Sequence, residues 1–293
     1  MKPRHLLPAA ALLVSTLTWS ADKPTPMPAS MEDIAIQSSG SRMNGLLYQA
    51  PGAQPKPVVI FLHGFPGTER NLDLAQAVRR AGYQALYFNY RGSWGSAGTF
   101  TFAGGPQDTA AVLAWVRDPA NATKYRLDAS RIALVGHSYG GWTALYAGAR
   151  EQPAVCVAAL AAWNLGWAAQ HLLPKLNDDF LADFRNTAAP DGGPLHASAD
   201  GLLQEMTAHA TDWDYMTQAP ALKSHALLLV SAKRDGDDGG VARHAELAQA
   251  VKAAGGKRVT HITYDDDHPF SAHRLELAQV LVKWLKVDCA KGQ

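Results

Sequence analysis

RIALVGHSYGG, residues 131–141, is the stretch that decides the fold class of this 293-residue chain. Its apolar residues 132–135 are typical of a strand buried on both faces of a parallel sheet. The next five residues, Gly136-His137-Ser138-Tyr139-Gly140, match G-x-S-x-G, and helical spacing follows over Tyr139–Ala149. A strand, a sharp turn bearing an exposed serine and a helix form a nucleophile elbow. We therefore predict that Ser138 is a nucleophile; a glycine-rich helix cap with an idle serine is the alternative.

The rest of the chain alternates predicted strands and predicted helices. Such alternation predicts a mostly parallel central sheet with helices on both faces. The first two strands are predicted to lie at an edge of the sheet. The predicted strands are Ile34–Ser38, Leu46–Tyr48, Pro57–Leu62, Ala85–Phe88, Arg131–Val135, Val155–Ala161, Ala226–Val230 and Val259–Tyr264. The predicted helices are Asn71–Ala81, Gln107–Arg117, Tyr139–Ala149, Val241–Ala254 and Ala272–Val287.

Residues 164–223 interrupt this alternation with large apolar residues and a Pro/Gly break at 190–194. We predict a helical cap inserted into an α/β core that comprises 33–163 and 224–289. Long insertions in compact domains usually form lids or binding elements. The alternative is a helical excursion that has no role with the substrate.

Three tryptophans are candidate pocket residues. Trp167 and Trp213 lie in the predicted cap, and Trp94 lies in the Gly/Ser-rich turn after the fourth strand. They are predicted to line a substrate pocket. Alternatively, the cap residues pack the cap onto the core and the turn only redirects the chain.

A serine nucleophile needs a base, and the base needs an orienting acid. In this arrangement the acid and the base follow the serine in the order Asp, His. Asp235 comes five residues after the strand that ends at Val230, and His268 comes four residues after the strand that ends at Tyr264. Both positions lie at carboxyl ends of parallel strands, where open α/β sheets place their ligands. We predict Asp235 and His268 as the acid and the base.

Both assignments have rivals. Asp237 and Asp238 share the loop of the predicted acid, and Asp238 is the stronger rival; His273 competes as the base but lies in the pattern of the last helix. The Asp-rich loop also partly matches a calcium loop, but Gly239 at its fifth position offers no side-chain oxygen. We therefore predict no metal and no cofactor.

The oxyanion that develops during acyl transfer needs preorganised N–H donors. One donor is predicted to be the backbone N–H of Tyr139, next to the serine. The other is predicted to be the N–H of Phe65, in the loop His63-Gly64-Phe65-Pro66-Gly67 after the third strand. His63 is interpreted as a structural histidine that braces this loop.

These residues resemble the α/β-hydrolase superfamily. The resemblance rests on 63–67 (HGFPG), 89–98 (NYRGSWGSAG), 136–141 (GHSYGG), Asp235 and 267–271 (DHPFS), and it covers about residues 33–287. The most similar branch comprises the dienelactone-hydrolase and prolyl-oligopeptidase-like serine hydrolases. The resemblance implies an α/β-hydrolase fold, a Ser-Asp-His triad and an acyl-enzyme intermediate. The sequence departs from the family in one place, because Ser231-Ala232 stands where the loop of the acid usually begins with glycine.

The predicted function is hydrolysis of carboxylic esters with small or medium acyl groups. A prolyl-oligopeptidase-like peptidase or an aminopeptidase is the alternative, and a non-catalytic binding protein on the same fold is a third hypothesis. Asp178, Asp179 and Asp183 could receive the amino terminus of a peptide, or they form a solvated helix face. The expected partner is a small acyl ester or a short peptide.

The first residues resemble a targeting segment. Lys2 and Arg4 precede the mostly apolar run Leu6–Leu17, which is too short to span a bilayer comfortably. A basic start, a short apolar run and small residues predict a signal peptide over 1–20, followed by a flexible leader over 21–32. An uncleaved anchor is the alternative. The chain is thus expected to be exported, either periplasmic or secreted.

The composition of the chain argues against two classes of partner, nucleic acid and the membrane interior. Apolar residues make up 47% and charged residues 18% of the chain, and the net charge is +1. The balanced charge argues against a broad basic surface for nucleic acid. No later stretch approaches about 18 consecutive apolar residues, so no stable membrane insertion is expected once the signal is removed. Cys156 and Cys289 could form a disulfide in an oxidising compartment or remain two small unpaired hydrophobic residues.

Overall fold

The computed structural model describes residues 27–153, 155–188, 193–236 and 240–290. The predicted signal peptide, 1–20, lies outside these ranges, as do the first half of the predicted leader, 21–26, and two acid candidates, Asp237 and Asp238. Among the helices of the described ranges, none has the length and apolar character that crossing a bilayer requires.

The core of the molecule is an eight-stranded, mostly parallel sheet, which confirms the predicted fold class. Its strands lie in the order β1-β2-β4-β3-β5-β6-β7-β8. The pairs β1–β2 and β2–β4 are antiparallel, and every other neighbouring pair is parallel. The strands are β1 (Ser30–Ser38), β2 (Ser41–Gln49), β3 (Lys56–Leu62), β4 (Gln84–Phe88), β5 (Leu127–His137), β6 (Cys156–Leu160), β7 (Leu227–Ala232) and β8 (Val259–Tyr264).

The first hairpin differs from the prediction in two ways. β1 begins at Ser30, whereas the leader was predicted to extend to residue 32. Ser30–Asp33 pair with Leu46–Gln49 through their backbones, and a pattern of apolar side chains cannot reveal such pairing. β2 is an interior strand, because β4 pairs with it on the side opposite β1.

Helices cover both faces of the sheet. Buried side chains of α1 and α10 pack on one face, while those of α2, α4 and α9 pack on the other. The helix α3 was not predicted; its start is capped by Asp118, whose carboxylate accepts the N–H of Asn121 at 2.9 Å. The helices are α1 (Leu72–Arg80), α2 (Gly104–Arg117), α3 (Pro119–Tyr125), α4 (Tyr139–Gly148), α5 (Leu165–His171), α6 (Asp178–Thr187), α7 (Ala199–Ala208), α8 (Ala219–Leu222), α9 (Gly240–Ala253) and α10 (Arg274–Trp284).

Residues 164–223, which we call the cap segment, connect β6 to β7 and contain α5–α8. Specific hydrogen bonds attach the cap segment to the core. The indole N–H of Trp142 on α4 donates to the carbonyl of Trp213 at 2.8 Å. The N–H of Phe102 donates to the Glu205 carboxylate, also at 2.8 Å. These bonds attach the cap segment to the core on the side where the parallel strands have their carboxyl ends.

A disulfide joins the middle of the sheet to the end of the described chain. Cys156, the first residue of β6, is bonded to Cys289 in the π-helical turn that follows α10, and their Cα atoms are 5.7 Å apart. Both residues are buried. The sequence left this pairing open, and the structure gives the bonded state.

We expect the disulfide to be a major source of stability. Its two cysteines are 133 residues apart in sequence, and a cross-link over such a long loop restricts the unfolded chain strongly. Replacing both cysteines with alanine should lower the free energy of unfolding by about 2–5 kcal/mol. Urea unfolding in non-reducing buffer measures this loss, and the difference should largely vanish when both proteins are reduced. Equal midpoints without reductant would contradict the prediction.

Candidate active site

Ser138 lies at the tight turn between β5 and α4. Its backbone has φ 58° and ψ −123°, a conformation that residues other than glycine rarely adopt. Holding it costs about 1–3 kcal/mol, and such positions cluster at functional sites. Hydrogen bonds to the Ser138 carbonyl from the N–H groups of Gly141 at 2.9 Å and Trp163 at 3.0 Å help to fix the turn.

The glycine after the turn permits a close approach of two backbones. A Cβ atom at Gly140 would overlap the carbonyl oxygen of Leu62 at the end of β3. The elbow can therefore sit directly against the neighbouring strand only because residue 140 has no side chain.

His268 and Asp235 are in direct contact. Nδ1 of His268 lies 2.5 Å from Oδ1 of Asp235. His268 follows β8 and Asp235 follows β7, so the contact joins the carboxyl ends of two adjacent parallel strands. With Nδ1 engaged, Nε2 is the imidazole nitrogen left for proton transfer.

His137 positions the loop that carries His268. Its Nε2 donates to the His268 carbonyl at 2.9 Å, and the two rings are 4.5 Å apart. Burial is the main cause that lowers the pKa of His137 to about 3, so this imidazole is neutral. This role of His137 was not predicted from the sequence, although its place beside the nucleophile was a signal.

Asp266 is a second residue that organises the His268 loop. Its carboxylate accepts the N–H of Asp267 at 2.9 Å, that of His273 at 3.0 Å and the ring Nδ1–H of His273 at 2.8 Å. Burial opposes ionisation, but these hydrogen bonds outweigh it and hold the pKa of Asp266 well below its usual range. His273, the rival base, is thus bound to Asp266, whereas Asp235 contacts His268.

The loop after β3 lies against Ser138. A Cβ atom at Gly64 would be 2.9 Å from the Cβ of Ser138. Next to this contact, the backbone N–H of Phe65 donates to no protein acceptor within the described ranges, and the same holds for Tyr139. Phe65 and Tyr139 stay the predicted oxyanion donors, and no other protein group in these ranges takes up their N–H groups.

His63 and Trp94 each donate a hydrogen bond to a backbone carbonyl of this loop. Nδ1 of His63 donates to the Gly64 carbonyl at 2.7 Å, and burial lowers the pKa of His63 to about 4, so it is neutral. The indole N–H of Trp94 donates to the Pro66 carbonyl at 2.7 Å.

A cavity of about 380 Å³, which we call the Ser138 cavity, opens at the serine. Ser138 and His268 share it with the loop after β3. Its lining residues are Gly64, Phe65, Pro66, Gly67, Thr68, Glu69, His137, Ser138, His268 and Pro269.

A second, apolar cavity of about 430 Å³ is lined by residues of the cap segment together with Trp163, and we call it the cap chamber. Three aromatic side chains form a wall between this cavity and the Ser138 cavity. The ring centroid of Phe65 lies 5.3 Å from that of Phe184 and 6.3 Å from that of Trp163. The lining residues of the chamber are Trp163, Ala168, Leu172, Leu173, Lys175, Leu176, Phe180, Phe184, Leu203 and Met206.

The three tryptophans predicted to line the pocket line neither cavity. Trp94 is held against the loop after β3, as described above. Trp213 packs on Trp142 of α4, with ring centroids 5.3 Å apart. Trp167 stacks on His171 of its own helix at 4.9 Å. Each ring takes part in packing instead, and Phe65, Trp163 and Phe184 provide the aromatic surface near Ser138.

The acidic residues of α6 do not reach the serine either. Asp178, Asp179 and Asp183 are exposed and do not line the Ser138 cavity. Their positions fit the solvated helix face that was the alternative interpretation.

Comparisons with known proteins agree with this architecture. Residues 40–174 match the family described as X-Pro dipeptidyl-peptidase (S15 family). Two uncharacterised proteins of Mycobacterium tuberculosis are 26% identical over 179 residues and 27% identical over 133 residues. The aligned regions cover 54% and 45% of this chain, and 62% and 45% of those proteins.

The similar solved structures include several esterases. The Pyrococcus furiosus esterase Pf2001 gives a TM-score of 0.65 at 18% identity, covering 88% of this chain and 91% of its own. A Rhizomucor miehei esterase gives a TM-score of 0.66 at 20% identity, covering 92% of this chain and 86% of its own. Est1E from Butyrivibrio proteoclasticus, solved with ferulic acid bound, gives 0.65 at 17% identity, covering 88% and 99%. With its eight-stranded, mostly parallel sheet and its sharp strand-to-helix turn at Ser138, the chain has the α/β-hydrolase fold.

Proposed function

We propose that the protein hydrolyses carboxylic esters through a triad of Ser138, His268 and Asp235. The observation that carries this proposal is the 2.5 Å contact between Asp235 and His268 at the cavity that Ser138 lines. A histidine held by a carboxylate beside a serine in a strained turn is the arrangement that acyl transfer requires.

The reaction begins with proton transfer from the Ser138 hydroxyl to Nε2 of His268 while the serine oxygen attacks the ester carbonyl. The N–H groups of Phe65 and Tyr139 stabilise the negative charge on the carbonyl oxygen. His268 then gives its proton to the leaving alcohol, and water releases the acyl group by the reverse sequence. Asp235 keeps the imidazole in the required tautomer and stabilises its charged form.

The cap chamber favours an apolar acyl group. Of the described residues that line the chamber, Lys175 is the one that carries a charge, and the others are apolar. The chamber begins behind the ring of Phe65, whose N–H is a proposed oxyanion donor, so an acyl chain extending past this ring would enter it. The ferulic acid bound by Est1E is an aromatic acid, and the aromatic wall of Phe65, Trp163 and Phe184 suits such a group as well.

Peptide hydrolysis is the second candidate function, because the family matched by residues 40–174 is one of dipeptidyl-peptidases. Amide cleavage uses the same triad but must protonate a poorer leaving group. An esterase and a peptidase with this triad are therefore distinguished by whether they cleave esters or amides.

A rate comparison tests the proposal. Purified protein is given a short-chain nitrophenyl ester and a panel of aminoacyl and prolyl nitroanilides, with the Ser138→Ala variant as the blank. We expect ester turnover that depends on Ser138 and little anilide turnover. Substantial Ser138-dependent anilide turnover would move the assignment to a peptidase, and ester turnover independent of Ser138 would refute the triad.

The protein is further proposed to act outside the cytoplasm. The disulfide between Cys156 and Cys289 supports export, because disulfides persist in oxidising compartments. The predicted signal peptide over 1–20 supports it independently. N-terminal sequencing of the mature protein from the periplasm or the medium tests this; an intact N-terminus in the cytoplasm would contradict it.

Filling the cap chamber should change the acyl preference. Leu203 on α7 lines the chamber, and Leu203→Trp would exclude several methylene groups of a long chain. Each methylene kept from an apolar site costs about 0.8 kcal/mol, so the octanoate-to-acetate ratio of kcat/KM should fall about tenfold or more. Met31→Trp, at a residue 60% exposed on β1, is the matched control and should keep the wild-type ratio. An unchanged ratio in Leu203→Trp would remove the chamber from the acyl site.

A further inference from the structure

Among the described residues that line the Ser138 cavity, Glu69 has the one acidic side chain. Its Oε1 accepts the N–H of Asn71 at 2.5 Å. A carboxylate has about four acceptor sites, so this bond leaves most of its capacity unused.

Nearby cations are engaged with other groups. Arg70 places its guanidinium over the ring of Trp94, 4.4 Å from the centroid. Arg274 forms an ion pair with Asp73. Within the described ranges, no Lys, Arg or His side chain forms an ion pair with Glu69, so its negative charge is available to the cavity.

Glu69 lies on the histidine side of the cavity. Arg274 connects the two segments, because its Nη1 donates to Oδ1 of Asn71 at 3.0 Å and to the carbonyl of Pro269 at 2.9 Å. The segment of Glu69 is thereby joined to the loop of His268. His268 protonates the leaving group in the proposed mechanism, so the leaving group lies on this side. The cap chamber, proposed for the acyl group, lies behind Phe65.

We propose that Glu69 makes the enzyme select esters whose alcohol portion carries a positive charge, such as an alkylammonium group. This inference rests on the proposed ester hydrolysis and adds a preference for one class of leaving group. Opposite unit charges about 4 Å apart in a water-like medium correspond to about a fivefold change in an equilibrium constant, and more where water is excluded.

Two esters of equal shape isolate this charge effect. The 2-(trimethylammonio)ethyl and 3,3-dimethylbutyl esters of butyric acid differ only in the replacement of N⁺ by carbon. Their kcat/KM ratio is measured at low ionic strength and in 0.5 M NaCl. The variants are Glu69→Gln, which keeps an acceptor for the Asn71 N–H, and Glu32→Gln, which makes the same charge change at an exposed position on β1.

We expect the wild type to favour the charged ester about fivefold, and Glu69→Gln to bring the ratio near one. Glu32→Gln should keep the wild-type ratio. High salt should weaken the preference in the wild type, because exposed charges are screened.

Three results would overturn the inference: a wild-type ratio near one, a preference that survives in Glu69→Gln, or an equal loss on both esters in that variant. The last would mean that Glu69 acts only through Asn71. A second arm compares a β-alanyl ester with its propionyl counterpart. A Glu69-dependent preference in this arm alone would place the cation on the acyl side and refute the leaving-group assignment. Neutral-ester turnover that persists in Ser138→Ala would instead refute the proposed function itself.

Discussion

Ser138→Ala should lower kcat on a short-chain nitrophenyl ester by about 10⁵- to 10⁶-fold, the size of loss seen when the nucleophile of a triad is removed. The residual rate would come from the oxyanion donors and substrate binding alone. The variant should nevertheless fold, because the hydrogen bonds that fix the turn use the Ser138 carbonyl and not its hydroxyl. Alanine also keeps the Cβ atom, so the strain at φ 58° is retained rather than increased.

The matched control is Ser271→Ala, which removes the hydroxyl of an exposed serine three residues after His268. It should keep ester turnover close to that of the wild type. Labelling with a fluorophosphonate, followed by intact-mass measurement, should add one group to the wild type and to Ser271→Ala but none to Ser138→Ala. Melting curves should coincide for all three. A Ser138→Ala variant that is labelled or that retains turnover would exclude Ser138 as the nucleophile.

Much of the fold could be predicted because its central strands are buried on both faces. β3 and the second half of β5 contain buried apolar runs, and such runs are easily recognised in a sequence. The start of β1 could not be found in this way, since Ser30–Asp33 are held by backbone pairing with β2. The helix α3 did carry a local signal, the Asp118-Pro119 cap, but seven residues are too few for a periodic pattern.

The candidate site was predictable to the extent that sheet topology determines it. Asp235 and His268 could be chosen because both follow parallel strands, and the structure brings them together. The roles of His137 and Asp266 depend on contacts within and to the folded His268 loop, and no spacing rule encodes them. The three tryptophans predicted to line the pocket lie elsewhere for a related reason. A sequence shows that a segment contains large aromatic residues, but it does not show which surface each ring faces.

The second large effect is expected at the acid. Asp235→Asn should preserve the shape of the contact with Nδ1 of His268 but lower kcat by about 10⁴-fold, because a neutral amide can hold the imidazole in the wrong tautomer and cannot stabilise its charged form. The Asp235 side chain is 11% exposed, and its partner atom is 2.5 Å away, so little water is available to replace the carboxylate. KM should change far less than kcat, since Asp235 does not line the Ser138 cavity.

Asp237 and Asp238, the rivals on the same loop, give the sharpest comparison. Asp237→Asn and Asp238→Asn make the same chemical change within three residues of Asp235, so they should retain turnover within a few-fold of the wild type if Asp235 is the acid. Single-turnover measurements of acylation would show whether the loss in Asp235→Asn falls on the step in which His268 accepts the serine proton. A loss near 10⁴-fold in Asp238→Asn with an active Asp235→Asn would transfer the role to Asp238. Full activity in all three variants would mean that His268 works without an orienting carboxylate from this loop.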